Sequence, residues 1–200
     1  LGGTVALLLA GRHPEQVRGV VGLQAAVTLD VPSEPVEALL EQLDGAPPWL
    51  DLARLSTAPL FGRTWYEVMV AGDGALPPSE AERLRTRVLA TVPKRLVRQL
   101  AGFMRQRAIT VGGEDVRTQI AKYRGRSLLV FAPRDNWIAP ELATPARDLL
   151  DRSKQTVKVL TRLEAAAVEY GHLGMLHGSA APADVFAPIL AFIEPAGVSL

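Results

Sequence analysis

The sequence predicts an α/β fold built around a mostly parallel sheet. Two runs, 17–27 and 127–132, are apolar, as expected of strands that are buried on both faces. A helix-forming run, 4–12, precedes the first of them, and another, 141–151, follows the second. Because strands that alternate with helices favour parallel sheets with right-handed crossovers, this order predicts the α/β class.

Length and composition restrict the possible functions. The chain has 200 residues, 48% hydrophobic and 22% charged, and can therefore bury a core. Its net charge of +1 gives no electrostatic reason to expect nucleic acid as a partner. No apolar run reaches the roughly 18–20 residues of a membrane span. The chain contains no cysteine and only 3 scattered histidines, so we expect no disulfide, no metal and no other cofactor.

The first helix and strand form a short unit at the start of the chain. The pair Gly2-Gly3 fits a tight turn before the helix, and the helix is expected to end at His13, because the residue before a proline disfavours the helical region. The apolar strand 17–27 follows directly. Residues 1–30 are therefore predicted to contribute one helix and one strand to the core.

The composition changes over residues 31–110. Seven prolines lie between Pro32 and Pro78. Ser79 with Glu82 matches the capping box that begins a helix, and Pro93 is expected to separate two helices. We predict that 31–110 is an all-helical insertion whose many arginines form its solvated face.

The α/β pattern returns over residues 111–200. Here the buried strand and its helix are followed by an alternating run typical of a strand nearer the sheet edge, by a loop with two of the three histidines, and by a closing helix. The last three elements are expected at 157–163, 165–178 and 183–193.

Two polar residues follow predicted strands at their carboxyl ends, where active sites form in open α/β sheets. Asp135 follows the strand 127–132, and His172 lies in the loop after 157–163. An acid at this place can accept a hydrogen bond from imidazole Nδ1, fix the tautomer and stabilise the imidazolium. A histidine held in this way can act as a general base. We therefore expect Asp135 and His172 to form an acid–base pair.

Other assignments remain open for these side chains. An aspartate after an apolar strand is often only a cap or turn residue. Asp30 follows the first predicted strand and is an alternative acid, and His177 is an alternative base. His13 is expected to be a structural residue of the His-Pro-Glu turn.

Several aromatic residues, together with Asn136 and Met69, could either pack in the core or line a pocket. Asn136 and Trp137 are expected to pack in the turn of the acid, with the rim of a pocket as the alternative. A second set is expected to form ordinary core of the insertion, with an acyl-binding pocket as the alternative. Its members are Trp49, Phe61, Trp65, Tyr66 and Met69.

Three blocks of the sequence carry a family resemblance in a fixed order. The start, Leu1-Gly2-Gly3-Thr4-Val5-Ala6 with His13-Pro14-Glu15, resembles the segment in which a G-x-S-x-G-G motif begins a helix. The strand 128–132 with Arg134-Asp135-Asn136 and Ile138-Ala139-Pro140 resembles the strand that carries a catalytic acid. Tyr170-Gly171-His172-Leu173 with Gly178 resembles the catalytic-histidine loop of acid-lipase-like and polyester-synthase-like proteins. The family that the blocks resemble is the α/β-hydrolase-fold superfamily.

The resemblance implies a partial α/β-hydrolase fold with a helical cap. Residues 1–30 would follow the nucleophile elbow, 31–110 would form the cap or lid, and 111–200 would carry the acid Asp135 and the base His172. It places the nucleophile one residue before Leu1, so that this chain contains none. The backbone N–H of Leu1 would then form half of the oxyanion hole.

The implied activity is that of a serine-type hydrolase that acts on small carboxylic esters through an acyl-enzyme. Two alternatives stay open: an acyltransferase of the polyester-synthase type with a cysteine nucleophile, and a non-catalytic binding chain. We expect the 200 residues alone to be inactive. The strand 17–27 would lack a neighbour, which predicts self-association through an exposed sheet edge. The sequence does not decide the compartment, and the cytoplasm is our working expectation.

Overall fold

The structure is a computed structural model in which short helices and strands surround one parallel sheet. The residues that it describes are 2–29, 41, 44–55, 59–60, 63–64, 66, 70, 73–87, 91–164 and 166–194.

The elements of these described residues are numbered in chain order. The strands are β1 (Gly19–Leu23), β2 (Trp49–Asp51), β3 (Pro59–Leu60), β4 (Arg63–Thr64), β5 (Thr91–Pro93), β6 (Thr110–Val111), β7 (Glu114–Asp115), β8 (Arg126–Phe131) and β9 (Gln155–Val159). The α-helices are α1 (Gly2–Arg12), α2 (Leu52–Leu55), α3 (Pro78–Arg87), α4 (Lys94–Gln106), α5 (Val116–Ile120), α6 (Pro140–Ala143), α7 (Ala146–Leu149), α8 (Gly174–His177) and α9 (Ala187–Ile193).

The main sheet is parallel and has the order β1-β8-β9 within the described residues. Val21 of β1 lies opposite Leu128 of β8, and Leu129 of β8 lies opposite Val157 of β9. The central strand β8 is buried from Ser127 to Phe131, whereas β9 is half-buried or exposed. The predicted parallel sheet, its buried strand and its edge strand are thus confirmed. The predicted bounds are not, since β1 covers only part of the run 17–27 and β9 ends at Val159, before the end of the run 157–163. Strand β1 lies at the other edge of the described sheet. Self-association through this edge stays a prediction.

Successive residues of β8 point to opposite faces of the sheet, and each face is covered by helices. Leu129 and Phe131 join the core that α1, α5 and α6 complete, whereas Leu128 and Val130 join the core that includes α8 and the last helical turns. The sheet is therefore the middle layer of an α/β sandwich. This arrangement explains why β8 is almost continuously apolar.

Helix α1 packs against α5 at very short range. A Cβ built on Gly11 would lie 2.1 Å from the carbonyl oxygen of Gln119, so that only a glycine permits this approach. At the other end of the helix, the buried hydroxyl of Thr4 donates a hydrogen bond to the carbonyl of Ala26 at 2.6 Å. The first contact fixes α1 against α5, and the second connects α1 to the chain after β1.

The insertion is not all-helical, which corrects the expectation for 31–110. Strand β2 pairs with β5 and β3 pairs with β4, both antiparallel, beside the helices α2, α3 and α4. The β5 strand forms because Thr91 and Val92 are β-branched and because the residue before Pro93 prefers an extended backbone. Helix α3 begins at Pro78, a favourable first residue, so Ser79 lies inside the helix and does not form the expected capping box.

Two further helices differ in detail from their predictions. The run 141–151 forms two short helices, α6 and α7, because Pro145 lacks an N–H and disrupts the turn before it. The closing helix is present, but it begins with the π-helical turn Pro182–Phe186 before α9. None of the helices in the described part of the chain has the length and hydrophobicity that crossing a bilayer requires.

Candidate active site

The structure brings Asp135 and His172 into direct contact at the carboxyl ends of β8 and β9. Nδ1 of His172 lies 2.6 Å from Oδ2 of Asp135. The Asp135 side chain is completely buried, whereas that of His172 is 30% exposed. The contact therefore orients an accessible imidazole through a carboxylate that water does not reach.

The turn after β8 fixes the carboxylate of Asp135. Its second oxygen, Oδ1, accepts hydrogen bonds from the backbone N–H groups of Trp137 at 2.8 Å and Ile138 at 2.9 Å. The backbone N–H of Asp135 donates to the carbonyl of Ala132 at 3.0 Å. Oδ1 thus stabilises the turn and Oδ2 contacts the imidazole, so Asp135 is at once a turn residue and the partner of His172.

The loop that carries His172 is anchored two residues earlier. The hydroxyl of the buried Tyr170 donates to Oδ2 of Asp184 at 2.9 Å, and the N–H of Ala167 donates to the same oxygen at 2.8 Å. Burial, and then the hydrogen bond to the Asp184 carboxylate, raise the pKa of Tyr170 above its ordinary value. The backbone N–H of Arg134 donates to the Tyr170 carbonyl at 3.3 Å, which connects this loop to the turn of the acid.

The indole of Trp137 stacks on the imidazole of His172. The ring centroids are 5.6 Å apart and the ring planes differ by 13°. Trp137 and Leu173 also pack against a buried cluster of the insertion, formed by Tyr66, Leu76, Ala81 and Leu84. The imidazole is therefore held by a hydrogen bond on Nδ1 and by an aromatic ring on one face.

Gln24 supports the turn of the acid, although the sequence analysis did not single it out. It follows β1 directly, is 2% exposed and has a positive φ of 41°. Its amide nitrogen donates to the carbonyl of Ile138 and its amide oxygen accepts from the N–H of Ala132, both at 2.8 Å. Gln24 thus holds both ends of the turn that contains Asp135. The signal in the sequence was a polar residue inside the apolar run 17–27.

Replacing Gln24 by glutamate is expected to destabilise the chain. A carboxylate has no N–H for the Ile138 carbonyl, and an unsatisfied buried polar group costs about 1–3 kcal/mol. Chemical denaturation of the Gln24→Glu variant measures this loss. Gln155→Glu is the matched control, because the Gln155 amide donates to a backbone carbonyl, that of Arg147, at the exposed surface. Equal unfolding midpoints for the two variants would contradict a supporting role of Gln24.

The other two histidines lie away from Asp135, and two further candidate residues lie outside the described residues. His177 is exposed at the end of α8, and His13 is exposed with Nδ1 4.0 Å from the Glu15 carboxylate. The imidazole that contacts Asp135 is that of His172. Leu1 and Asp30 lie outside the described residues, so the predicted oxyanion-hole amide and the alternative acid stay predictions.

The residues of the insertion that were expected to form core or an acyl-binding pocket also differ in where they lie. Tyr66 is core, since it is buried and donates to the Ala81 carbonyl at 2.6 Å. Trp49 is 61% exposed and lines an open surface pocket together with Pro48 and Arg98. Phe61, Trp65 and Met69 lie outside the described residues.

An apolar cavity of about 170 Å³ lies between α1 and α4. Its wall includes Val5, Leu8, Leu100 and Phe103, but neither Asp135 nor His172. This cavity is therefore separate from the acid–imidazole contact.

Comparisons with solved structures identify the fold. A hydrolase from Pseudomonas aeruginosa PA01 superposes with a TM-score of 0.61 at 16% identity, over 96% of this chain and 62% of that one. An esterase from Exiguobacterium antarcticum gives a TM-score of 0.58 at 18% identity, over 95% of this chain and 62% of that one. The thioesterase domain from the curacin biosynthetic pathway gives 0.51 at 11% identity, over 94% of this chain and 63% of that one.

This chain spans about three fifths of the length of each of these structures. Neither a family model nor a curated protein matches the sequence. At identities of 11–18% the similarity establishes the fold alone. The fold is that of the α/β hydrolases, in a partial form.

Proposed function

We propose that this chain is the C-terminal part of an α/β hydrolase that cleaves carboxylic esters through an acyl-enzyme. His172 is the general base in this proposal, and Asp135 is the acid that orients it. The observation that carries the proposal is the 2.6 Å contact between a fully buried carboxylate and a partly exposed imidazole. An imidazole held in this way is suited to exchange protons with a neighbouring hydroxyl group.

The hydrogen bond to Asp135 determines which nitrogen of His172 reacts. If Nδ1–H donates to the Asp135 carboxylate, Nε2 carries the lone pair that accepts a proton. In the proposed reaction Nε2 takes the proton of a serine hydroxyl while the serine oxygen attacks the ester carbonyl carbon. The imidazolium then returns this proton to the alkoxide that leaves, and an acyl-enzyme remains. Water, deprotonated by Nε2, releases the acid and restores the serine.

The nucleophile in this proposal is the residue immediately before Leu1. The match of Leu1-Gly2-Gly3 to the end of G-x-S-x-G-G supports this position, and α1 begins at Gly2, as the helix after such an elbow would. The backbone N–H of Leu1 would then stabilise the oxyanion of the tetrahedral intermediate.

Residues 31–110 are proposed to act as the cap over the site. The support is the cluster of Leu76, Ala81 and Leu84, against which Trp137 and Leu173 pack from the two loops that carry the acid and the base. A carboxylic ester is the proposed substrate class, since esterases and a thioesterase share this fold.

The second candidate function is acyl transfer with a cysteine nucleophile. It is favoured by the Tyr170-Gly171-His172-Leu173 loop, which resembles that of polyester synthases. Both chemistries pass through an acyl-enzyme, and they differ in whether water or another hydroxyl resolves it. A non-catalytic binding role is the third possibility and would apply if no nucleophile precedes Leu1.

Labelling the nucleophile tests the proposal. A longer polypeptide that includes the residues before Leu1 is treated with a fluorophosphonate, and the modified residue is identified by mass spectrometry. We expect the label on a serine directly before Leu1, together with hydrolysis of a p-nitrophenyl acyl ester. A cysteine at this position, modified by iodoacetamide instead, would favour the transferase. A glycine or alanine there, without turnover, would contradict both enzymes.

A further inference from the structure

Asp73 is a buried carboxylate that the acid–base pair does not use. It lies within the insertion, five residues before α3 begins, and it is 9% exposed. Its Oδ2 accepts a hydrogen bond from the backbone N–H of Gly174 at 2.8 Å, and its Oδ1 accepts one from the N–H of Ala75 at 3.3 Å. Gly174 lies two residues after His172. The carboxylate therefore connects the insertion to the loop of the proposed base.

The glycines on the two sides of His172 make room for this carboxylate. A Cβ on Gly174 would lie 2.2 Å from Oδ1 of Asp73, and a Cβ on Gly171 would lie 2.9 Å from its Oδ2. Both distances are shorter than real Cβ contacts, so any other residue would displace Asp73 or the loop. The Gly171-His172-Leu173-Gly174 pattern thus matches a loop that closes around the Asp73 side chain.

The residues after Asp73 extend the same contact. Ala75 packs in the core cluster of Tyr170 and Met175, and Leu76 packs in the cluster that includes Leu173 and Trp137. The insertion therefore contacts the His172 loop before and after the imidazole, and it contacts the indole that stacks on the ring.

We propose that Asp73 is a positioning residue for His172, which keeps the imidazole in place by holding the loop at Gly174. The inference rests on the proposed function of His172 as the base. Its consequence is a coupling between two parts of the chain: His172 stays aligned with Asp135 only while the segment around Asp73 is docked on the loop. Displacement of the insertion would then impair the base as well as expose the site.

The Asp73→Asn variant tests the hydrogen bonds of this side chain, because it changes the hydrogen-bonding groups and leaves the side-chain volume almost unchanged. A carboxylate accepts two N–H groups, whereas an amide offers one oxygen and one NH₂ group. In Asp73→Asn the NH₂ group would therefore face the N–H of either Gly174 or Ala75, and one donor would lose its acceptor. Asp148→Asn is the matched control, since the Asp148 carboxylate bonds only to Arg152 in the contacts described, at the exposed surface, at 2.6 Å.

Amide hydrogen exchange of the 200-residue chain is the first readout, and it needs no activity. We expect exchange at Gly174 or at Ala75, whichever N–H faces the NH₂ group, to be about 10- to 100-fold faster in Asp73→Asn, from the loss of a hydrogen bond to a charged group. The exchange rates of the β8 amides in Asp73→Asn should equal those in Asp148→Asn. Gly174→Ala approaches the same contact from the loop and should also accelerate exchange at residues 171–177. Unchanged exchange at both Gly174 and Ala75 in Asp73→Asn, or unchanged exchange at residues 171–177 in Gly174→Ala, would overturn the inference.

Ester turnover of the longer polypeptide is the second readout. We expect kcat to fall about 10-fold or more in Asp73→Asn while KM changes little, because a misplaced base affects the chemical step. Faster exchange at Gly174 with an unchanged kcat would overturn the positioning role. Failure of the proposed function is recognised separately, by full turnover in a His172→Ala variant, whereas the exchange result alone decides whether Asp73 holds the loop.

Discussion

Replacing His172 by alanine is expected to lower the kcat for ester hydrolysis by about 10⁴-fold or more. The reason is that the proposal assigns the proton of the nucleophile to His172, whose imidazole contacts the buried Asp135. The measurement is the steady-state turnover of a p-nitrophenyl ester by the longer polypeptide, with circular dichroism to verify the fold.

The matched control for this variant is His177→Ala, because His177 is exposed at the end of α8, five residues from His172. Its kcat should stay within about twofold of the wild type, as expected of a surface substitution. Turnover of His172→Ala close to that of His177→Ala would contradict the assignment of the base.

Replacing Asp135 by asparagine should reduce kcat by about 10⁴-fold while the fold is retained. The amide oxygen can still accept the N–H groups of Trp137 and Ile138, as Oδ1 does now, and the turn after β8 is preserved. The NH₂ group then faces Nδ1 of His172 and donates to it. The imidazole consequently carries its proton on Nε2, where it cannot act as a base.

Two measurements check this prediction. Turnover is compared with the wild type, and thermal unfolding shows whether the turn is intact. A large loss of kcat with a melting temperature near that of the wild type is the expected combination. Near-wild-type turnover in Asp135→Asn would contradict the role of the carboxylate.

The sequence predicted the parallel sheet and the contact of Asp135 with His172 because both depend on local patterns. The strand β8 is recognisable as an apolar run, and Asp135 directly follows it. His172 could be paired with Asp135 before the structure was known, since the carboxyl ends of neighbouring parallel strands meet at one edge of the sheet. The resemblance to α/β hydrolases added the order of the blocks, and the solved structures confirm the fold that it implied.

The supporting residues could not be predicted in the same way. Gln24 acts on the turn of the acid across more than 100 residues of sequence, and Asp73 acts on Gly174 across a separation of 101. Neither partner can be inferred from a pattern along the chain, because each contact exists only after the sheet and the insertion have packed. The expectation of an all-helical insertion was wrong for a different reason. The antiparallel pair of β2 with β5 depends on a tertiary pairing that overrides helix propensity.

The central claim is that Asp135, paired with His172, is the acid of the site. The most direct test is to measure the turnover of Asp135→Asn and Asp30→Asn side by side, because Asp30 is the alternative acid of the sequence and lies outside the described residues. We expect Asp135→Asn to lose about 10⁴-fold in kcat and Asp30→Asn to remain close to the wild type. A nearly active Asp135→Asn together with an inactive Asp30→Asn would contradict the claim and assign the acid to Asp30.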